Sequence, residues 1–422
     1  MQLGTFSGAA LRLFVAALWL VSALMGEAFA DRIGGSSLPA STPALKGRIA
    51  DGEGATSVVV LSTAAGWTSN AGPTFLETPS AFVDRGVGYA QVMQTPLGGV
   101  DFNVTLADRR YFAFTDADER SGQANLALAR DWEGQQTLLA FAAGTSRDIE
   151  ERLSMASLSL THTWGGGSVG GEVIKPFVQA EMAVLDFHDL PGEFLPFANQ
   201  DDRDRISSRA QAGLRLTITE HVSVEVGGGV DTKRYFEKHD DFGVQRDSVS
   251  LFPLMGLAVA TDRVSLRAVY MPFRRVFEEE FFENTWTHGY AVDAEIKFSD
   301  TIKAIASARH GFEETDFLIA SAAYESVMVA GVMVTHAWGS LSLAVSETRR
   351  DYDGLHLLDI MRADRKREVA LSGELPLWDA VSLTGRVSYM DFESSLGEGD
   401  YLAQIGTDVL SVSLGLTYVL TQ

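Results

Sequence analysis

The chain has no cysteine. That excludes a disulfide scaffold, a thiol nucleophile and any thiolate-ligated metal centre. Bases are scarce as well: 34 Lys and Arg stand against 56 Asp and Glu, for a formal net charge of −22. With no broad basic field to displace phosphate counterions, nucleic acid is excluded as a partner. Proline makes up only 11 of the 422 residues, so few positions are barred from a hydrogen-bonded ladder. Repeated apolar runs of about 20 residues, which a helical membrane protein needs, are missing. So are H-E-x-x-H and P-loop motifs. Yet 46% of the residues are hydrophobic, so wholesale disorder is also excluded.

The N-terminus reads as an export signal. Arg12 is the only charge before Glu27, and the apolar stretch Leu13 to Met25 follows it. That stretch is too short to span a bilayer but suits a signal core, and Ala28-Phe29-Ala30 supplies a small-x-small cleavage site. Residues 1–30 are therefore expected to be a signal peptide. Residues 31–55, rich in Gly, Ser, Pro and Ala, are expected to form a flexible periplasmic lead-in.

From Thr56 to Gln422 the chain alternates with period two in segments of about 10–14 residues. Trp286, His288, Tyr290, Val292, Ala294 and Ile296 share one face; Thr287, Gly289, Ala291, Asp293, Glu295 and Lys297 share the other. Val412, Leu414, Leu416, Tyr418 and Leu420 alternate with Ser411, Ser413, Gly415 and Thr417. A soluble sandwich uses strands of about five or six residues with the apolar face inside. Segments twice that length, with Gly, Ser, Thr and charges on the second face, fit the reverse arrangement: apolar residues toward lipid and a polar interior. Eight short links alternate with nine longer polar ones, among them Leu190 to Ile206 and Asp353 to Arg365, which gives 18 strands. The expected fold is an all-β, single, transmembrane, antiparallel up-and-down β-barrel, with 16 strands as the nearest alternative. Short turns at one end and long loops at the other put the N-terminus on the periplasmic side.

The side chains sort onto this frame. Trp67, Trp132, Trp164, Trp286, Trp338 and Trp378 all fall at strand ends, as expected for aromatic girdles at two membrane interfaces. Four segments place two bases before an aromatic residue near a long loop: Arg109-Arg110, Lys233-Arg234, Arg274-Arg275 and Arg349-Arg350. Alternation sends Arg110, Arg234, Arg274 and Arg349 outward, where lipopolysaccharide phosphates are the expected contacts. It sends Arg109, Lys233, Arg275 and Arg350 inward. Asp101, Glu225, Asp231, Arg267, Asp293, Glu295, Lys297, Lys303, Arg309, Glu368, Glu374 and Arg386 complete the expected lumen lining. Much of the acid excess lies in loops such as Glu278-Glu279-Glu280, which predicts a mild cation preference and solvated loops rather than a metal site. His162 and His336 fall near short turns and His288 near an outer end, and no serine pairs with any of them from spacing alone. The expectation is a protein that is not an enzyme and needs no cofactor.

The pattern resembles the large porin-like outer-membrane barrels of Gram-negative bacteria. More narrowly, it is similar to the β-barrel porins found beside exopolysaccharide genes. Gly66-Trp67-Thr68-Ser69-Asn70 looks like their early Gly-aromatic-x-x-Asn element. Typical barrels end on an aromatic residue read by the barrel assembly machinery, whereas here Tyr418 is the last aromatic, before Val419-Leu420-Thr421-Gln422. The resemblance implies outer-membrane lipid as surroundings and passive diffusion of small hydrophilic solutes. A conduit for polysaccharide export and a closed structural barrel are the alternatives.

Overall fold

The computed structural model describes residues 57–421, apart from 72–77, 96–97, 133, 148–151, 166, 170–171, 189–202, 240–242, 280–281, 283, 314–321, 354–361 and 397–403. The expected signal peptide and lead-in lie outside the described residues.

The strands, in chain order, are β1 (Ser57–Thr68), β2 (Ser80–Thr95), β3 (Gly98–Tyr111), β4 (Glu119–Trp132), β5 (Gln135–Arg147), β6 (Arg152–Thr163) and β7 (Gly167–Val169). Next come β8 (Glu172–Phe187), β9 (Arg205–Thr219), β10 (Val222–Tyr235), β11 (Ser248–Ala260), β12 (Val264–Phe277) and β13 (Thr285–Lys297). The last six are β14 (Ile302–Glu313), β15 (Ala322–His336), β16 (Gly339–Asp353), β17 (Arg362–Trp378), β18 (Val381–Leu396) and β19 (Gln404–Thr421). A 3₁₀ turn, Thr115–Ala117, lies between β3 and β4. Each long strand pairs antiparallel with the next long strand in sequence, and β1 closes the sheet on β19 from Val58↔Thr421 to Thr68↔Ser411. β6 pairs directly with β8, while β7 adds only three register pairs against the start of β8. The wall is therefore a closed barrel of eighteen long strands, with one extra three-residue strand in the turn after β6.

Those long strands run from 12 to 18 residues, longer than the sequence pattern suggests. β17 already begins at Arg362, inside the polar link expected from Asp353 to Arg365, and its ladder continues to Arg362↔Leu396. Above the apolar band both faces are polar, so the two-residue period fades. The backbone ladder does not depend on that period and carries on.

The side-chain distribution is inverted relative to a soluble protein. On β19, Leu414 is 59% exposed while Thr417, on the other face, is 2% exposed. The same holds for Val87, Leu106, Val226, Leu251, Met255, Met328 and Leu343, all exposed. A continuous exposed apolar belt of this extent marks a surface that meets lipid. Among the described residues no helix is long and apolar enough to cross a membrane; the strands form the spanning elements.

On the inner face, four phenylalanines lie against glycines of the adjoining strand: Phe82 on Gly66, Phe177 on Gly213, Phe252 on Gly229 and Phe273 on Gly289. At Gly66 a β-carbon would fall 2.5 Å from the Val412 carbonyl oxygen and against the Phe82 ring, so no larger residue fits without movement. Gly66→Val is expected to destabilise the barrel by about 1–3 kcal/mol through overpacking, measured by urea unfolding in micelles. Just beyond lies the closing seam. Asn70 donates from Nδ2 to Thr407 Oγ1 at 3.0 Å and accepts from the Thr78 amide at 3.1 Å. The Leu410 amide donates to Ser69 Oγ at 2.9 Å, and Ser411 Oγ meets Thr68 Oγ1 at 3.0 Å. The Gly66–Asn70 element thus ties the first strand to the last at the long-loop end.

Candidate functional site

The register sets the two faces of every strand. Asp101, Arg109, Glu225, Asp231, Lys233, Arg267 and Arg275 lie on the face opposite the exposed apolar rows. Asp293, Glu295, Lys297, Lys303, Arg309, Arg350, Glu368, Glu374 and Arg386 do the same. Most of them meet opposite charges there. Arg109 grips Asp84 through Nε at 2.7 Å and Nη2 at 3.0 Å, and lies 3.5 Å from Glu119. Tyr111 donates its hydroxyl to Glu119 at 2.8 Å. Glu225 receives Arg215 at 2.7 Å and Arg267 at 3.7 Å. Lys233 lies 3.6 Å from Asp231, Lys303 lies 3.6 Å from Glu295, and Lys297 lies 3.9 Å from it. Arg350 pairs with Glu325 at 2.8 Å and Arg386 with Glu368 at 2.7 Å. Sequence reasoning missed the partner acids Asp84, Glu119 and Glu325. They sit on neighbouring strands at matching height, a relation that only the register defines.

It also missed Arg205 and Arg209, two inward residues of β9. Arg205 lay in an expected loop and Arg209 in no base doublet. They belong to a stretch of wall from β8 to β14, toward the long loops, where guanidinium groups rest on aromatic rings. Arg205 faces Phe187 at 5.3 Å and Tyr235 at 5.8 Å, measured to ring centroids. Arg209 faces Phe252 at 4.9 Å and Phe273 at 5.7 Å. Arg275 faces Phe277 at 4.9 Å and Phe312 at 5.8 Å, and donates from Nε and Nη2 to Ser248 Oγ at 3.0 and 2.9 Å. Such stacking is worth about 0.5–2 kcal/mol per contact, depending on desolvation. Elsewhere the inner positions of β19 and β1 are uncharged: Ser413, Ser411, Thr417, Ser62 and Thr68. Charge is therefore distributed unevenly around the ring.

The outward bases are mostly engaged within the protein. Arg110 pairs with Asp108 at 3.0 Å, Arg349 with Asp351 at 3.0 Å, and Arg234 with Asp247 at 3.0 Å and with Glu278. Arg274 is exposed between Leu251 and Trp286. Trp67 and Trp286 lie toward the long loops; Trp132, Trp164, Trp338 and Trp378 lie toward the short turns, and all six are exposed. His162 packs between Trp132 and Trp164, at 6.0 and 4.5 Å between centroids. His336 packs beside Trp338, and His288 Nδ1 meets the Tyr270 hydroxyl at 2.6 Å.

On the outer face, Ser154 Oγ lies 3.1 Å from His188 Nε2, and His188 Nδ1 lies 3.6 Å from Asp186. This order of groups is that of a hydrolytic triad. The Asp–His separation exceeds hydrogen-bond range, and Asp186 is half exposed. Ser154 and Asp186 are also direct register partners within the β6–β8 ladder. The local strand amides are committed to that ladder, so they do not form the oxyanion-binding pair that acyl transfer requires. Among the described residues no group of three or more His, Asp or Glu is placed to hold a metal ion.

No family model and no curated protein matches the chain. Solved structures similar to it include the siderophore receptor PirA of Pseudomonas aeruginosa, at 10% identity and a TM-score of 0.39, covering 88% of this chain and 81% of that one. OccAB3 of Acinetobacter baumannii shows 7% identity and a TM-score of 0.44, covering 87% of this chain and 100% of that one. OpdK of Pseudomonas aeruginosa, solved with vanillate, shows 9% identity and a TM-score of 0.44, covering 87% and 99%. At these identities the likeness concerns the fold alone.

Proposed function

We propose that the protein is an outer-membrane channel of a Gram-negative bacterium, open to passive diffusion of small hydrophilic solutes. The observation that supports this reading best is the inverted wall: exposed leucines and valines outside, serines, glycines and paired charges inside, in a closed ring of eighteen long strands. Barrels of 16–18 strands enclose an aqueous passage unless something fills it. The lumen-lining set runs from Asp101 to Arg386, and the six exposed tryptophans serve as interfacial girdles. The periplasmic N-terminus follows from the short-turn end, where β1 begins. The barrel assembly machinery is the expected insertion partner.

Inner-face acids and bases nearly balance, so the mild cation preference of this proposal arises at the acidic mouths. Purified protein in planar bilayers is expected to give stable ohmic conductance, with a small reversal potential of cation-selective sign in a KCl gradient. Changing Glu278 and Glu279 together to Gln should move that potential toward zero. Correctly folded protein that carries no current would reject the open channel.

Arg110, Arg234, Arg274 and Arg349 are the proposed lipopolysaccharide contacts. Because three of them already hold carboxylates, Arg274 should contribute most. Replacing all four with Gln is expected to raise cellular sensitivity to detergents several-fold, mainly through Arg274. Unchanged sensitivity would remove lipopolysaccharide from the partners.

A further inference from the structure

Arg209 occupies an unusual position. Its register partners on either side are both carboxylates, Glu181 on β8 and Asp231 on β10. A flexible arginine between two acids would ordinarily pair with one of them. Among the described residues, however, Arg209 has no carboxylate within ion-pair distance, and its Nε is buried without a hydrogen-bond partner. The side chain instead crosses β10 and lies on the rings of Phe252 and Phe273. Asp231 is occupied by Lys233 at 3.6 Å.

The wall is shaped to allow this extension. Inward-facing Gly229 and Gly227 of β10 leave a bare strip between β9 and β11. A β-carbon at Gly229 would fall 2.5 Å from the Ala210 carbonyl oxygen and 2.6 Å from the far end of the Phe252 ring, so the ring tip can reach over this strand only at a glycine. Phe252 and Phe273 are 3% and 8% exposed and their centroids are 5.0 Å apart, which makes them a fixed platform. Stacking on a ring engages the face of a guanidinium and leaves its edge, with the N–H groups, for a planar acceptor. Arg205, 3% exposed and with Nε also unbonded, and Arg275, 2% exposed, add positive charge above the platform.

We propose that Arg209, on its Phe252–Phe273 platform, is a binding site for the carboxylate of a small organic acid in transit. A guanidinium edge matches a carboxylate with two parallel hydrogen bonds. Benzoate, a rigid monocarboxylate that is ionised at neutral pH, is the appropriate probe. The inference rests on the channel reading for its purpose, but binding can be measured without current.

The test is calorimetric titration of the detergent-folded full chain with sodium benzoate, benzyl alcohol and inorganic phosphate, beside bilayer conductance. Benzoate should bind, and Arg209→Gln should weaken it at least tenfold. Arg209→Lys should recover only part of the loss, because the fork is missing. Phe252→Leu, which keeps every charge but removes the ring beneath the guanidinium, should weaken binding several-fold. Equal benzoate affinity in wild type and Arg209→Gln would overturn the proposal, as would normal conductance with no benzoate binding. Phosphate binding as tightly as benzoate would overturn the carboxylate assignment, and benzyl alcohol binding as tightly would overturn the role of charge. Benzoate binding that depends on Arg209 in a protein without current would support the site and reject the channel.

Discussion

Leu414→Arg is expected to cost the folded barrel about 2–4 kcal/mol in a bilayer, whereas Ser413→Arg, one residue away, costs under ~1 kcal/mol. The two positions differ in little but their face. Leu414 lies mid-way along β19 and is 59% exposed on the outer side; Ser413 alternates with it and stands opposite Arg386 and Gly66. A guanidinium on the outer face at that height must enter hydrocarbon, where no water solvates it and the side chain is far from either interface. On the inner face the same group remains in a polar environment beside Glu368, two strands away in the register through Arg386. Urea unfolding in lipid vesicles, followed by gel mobility of the folded form, measures both variants. Equal costs would mean that the exposed leucines do not face lipid, and the transport proposal would lose its basis.

Arg109→Leu is the second large effect, at about 3–5 kcal/mol, because it leaves two carboxylates without their shared cation. Asp84 is only 7% exposed and takes two hydrogen bonds from Arg109, and Glu119 lies on the other side of the same guanidinium. The Arg109 guanidinium also rests on the Phe82 ring at 4.5 Å, so its loss disturbs the ring that covers Gly66 and the seam beside it. A double-mutant cycle checks the cause. Arg109→Leu with Asp84→Leu should be less destabilised than Arg109→Leu alone, since a paired loss leaves fewer buried charges uncompensated. If the double variant is worse by the sum of the two single effects, the ion pair is not what holds this corner.

Much of the wall was legible before the structure. The period-two rows of β13 and β19 separate lipid-facing from inner residues because a lipid-exposed strand must keep one face apolar over its whole crossing. Short and long links alternate because up-and-down topology returns the chain to the same end every second strand. Strand ends were less legible: β9 begins at Arg205 and β17 at Arg362, in segments that read as loops. There the polar composition of both faces erased the period while backbone pairing continued. The three-residue β7 was also missed, since it pairs only with β8 and leaves no alternation to read.

The inner-face chemistry divides in the same way. Arg109, Lys233, Arg275 and Arg350 stood out as doublet members, and alternation assigned them to the polar face. Their partners did not stand out. Asp84, Glu119 and Glu325 are distant in sequence and come together only through ladder register. A register shift of one residue would send each of them to lipid. Arg209 shows the limit most clearly. Its two ladder neighbours are acids, and any strand-by-strand reading would pair it with one of them. Only the glycine gap in β10 and the tilted ring pair of β11 and β12 reveal that its guanidinium goes elsewhere. Composition and period settle which face a residue occupies, because that choice is a matter of solvent and is made locally. Which charges meet, which remain uncompensated and where the ring closes depend on distances across strands far apart in the chain, and those belong to the closed barrel alone.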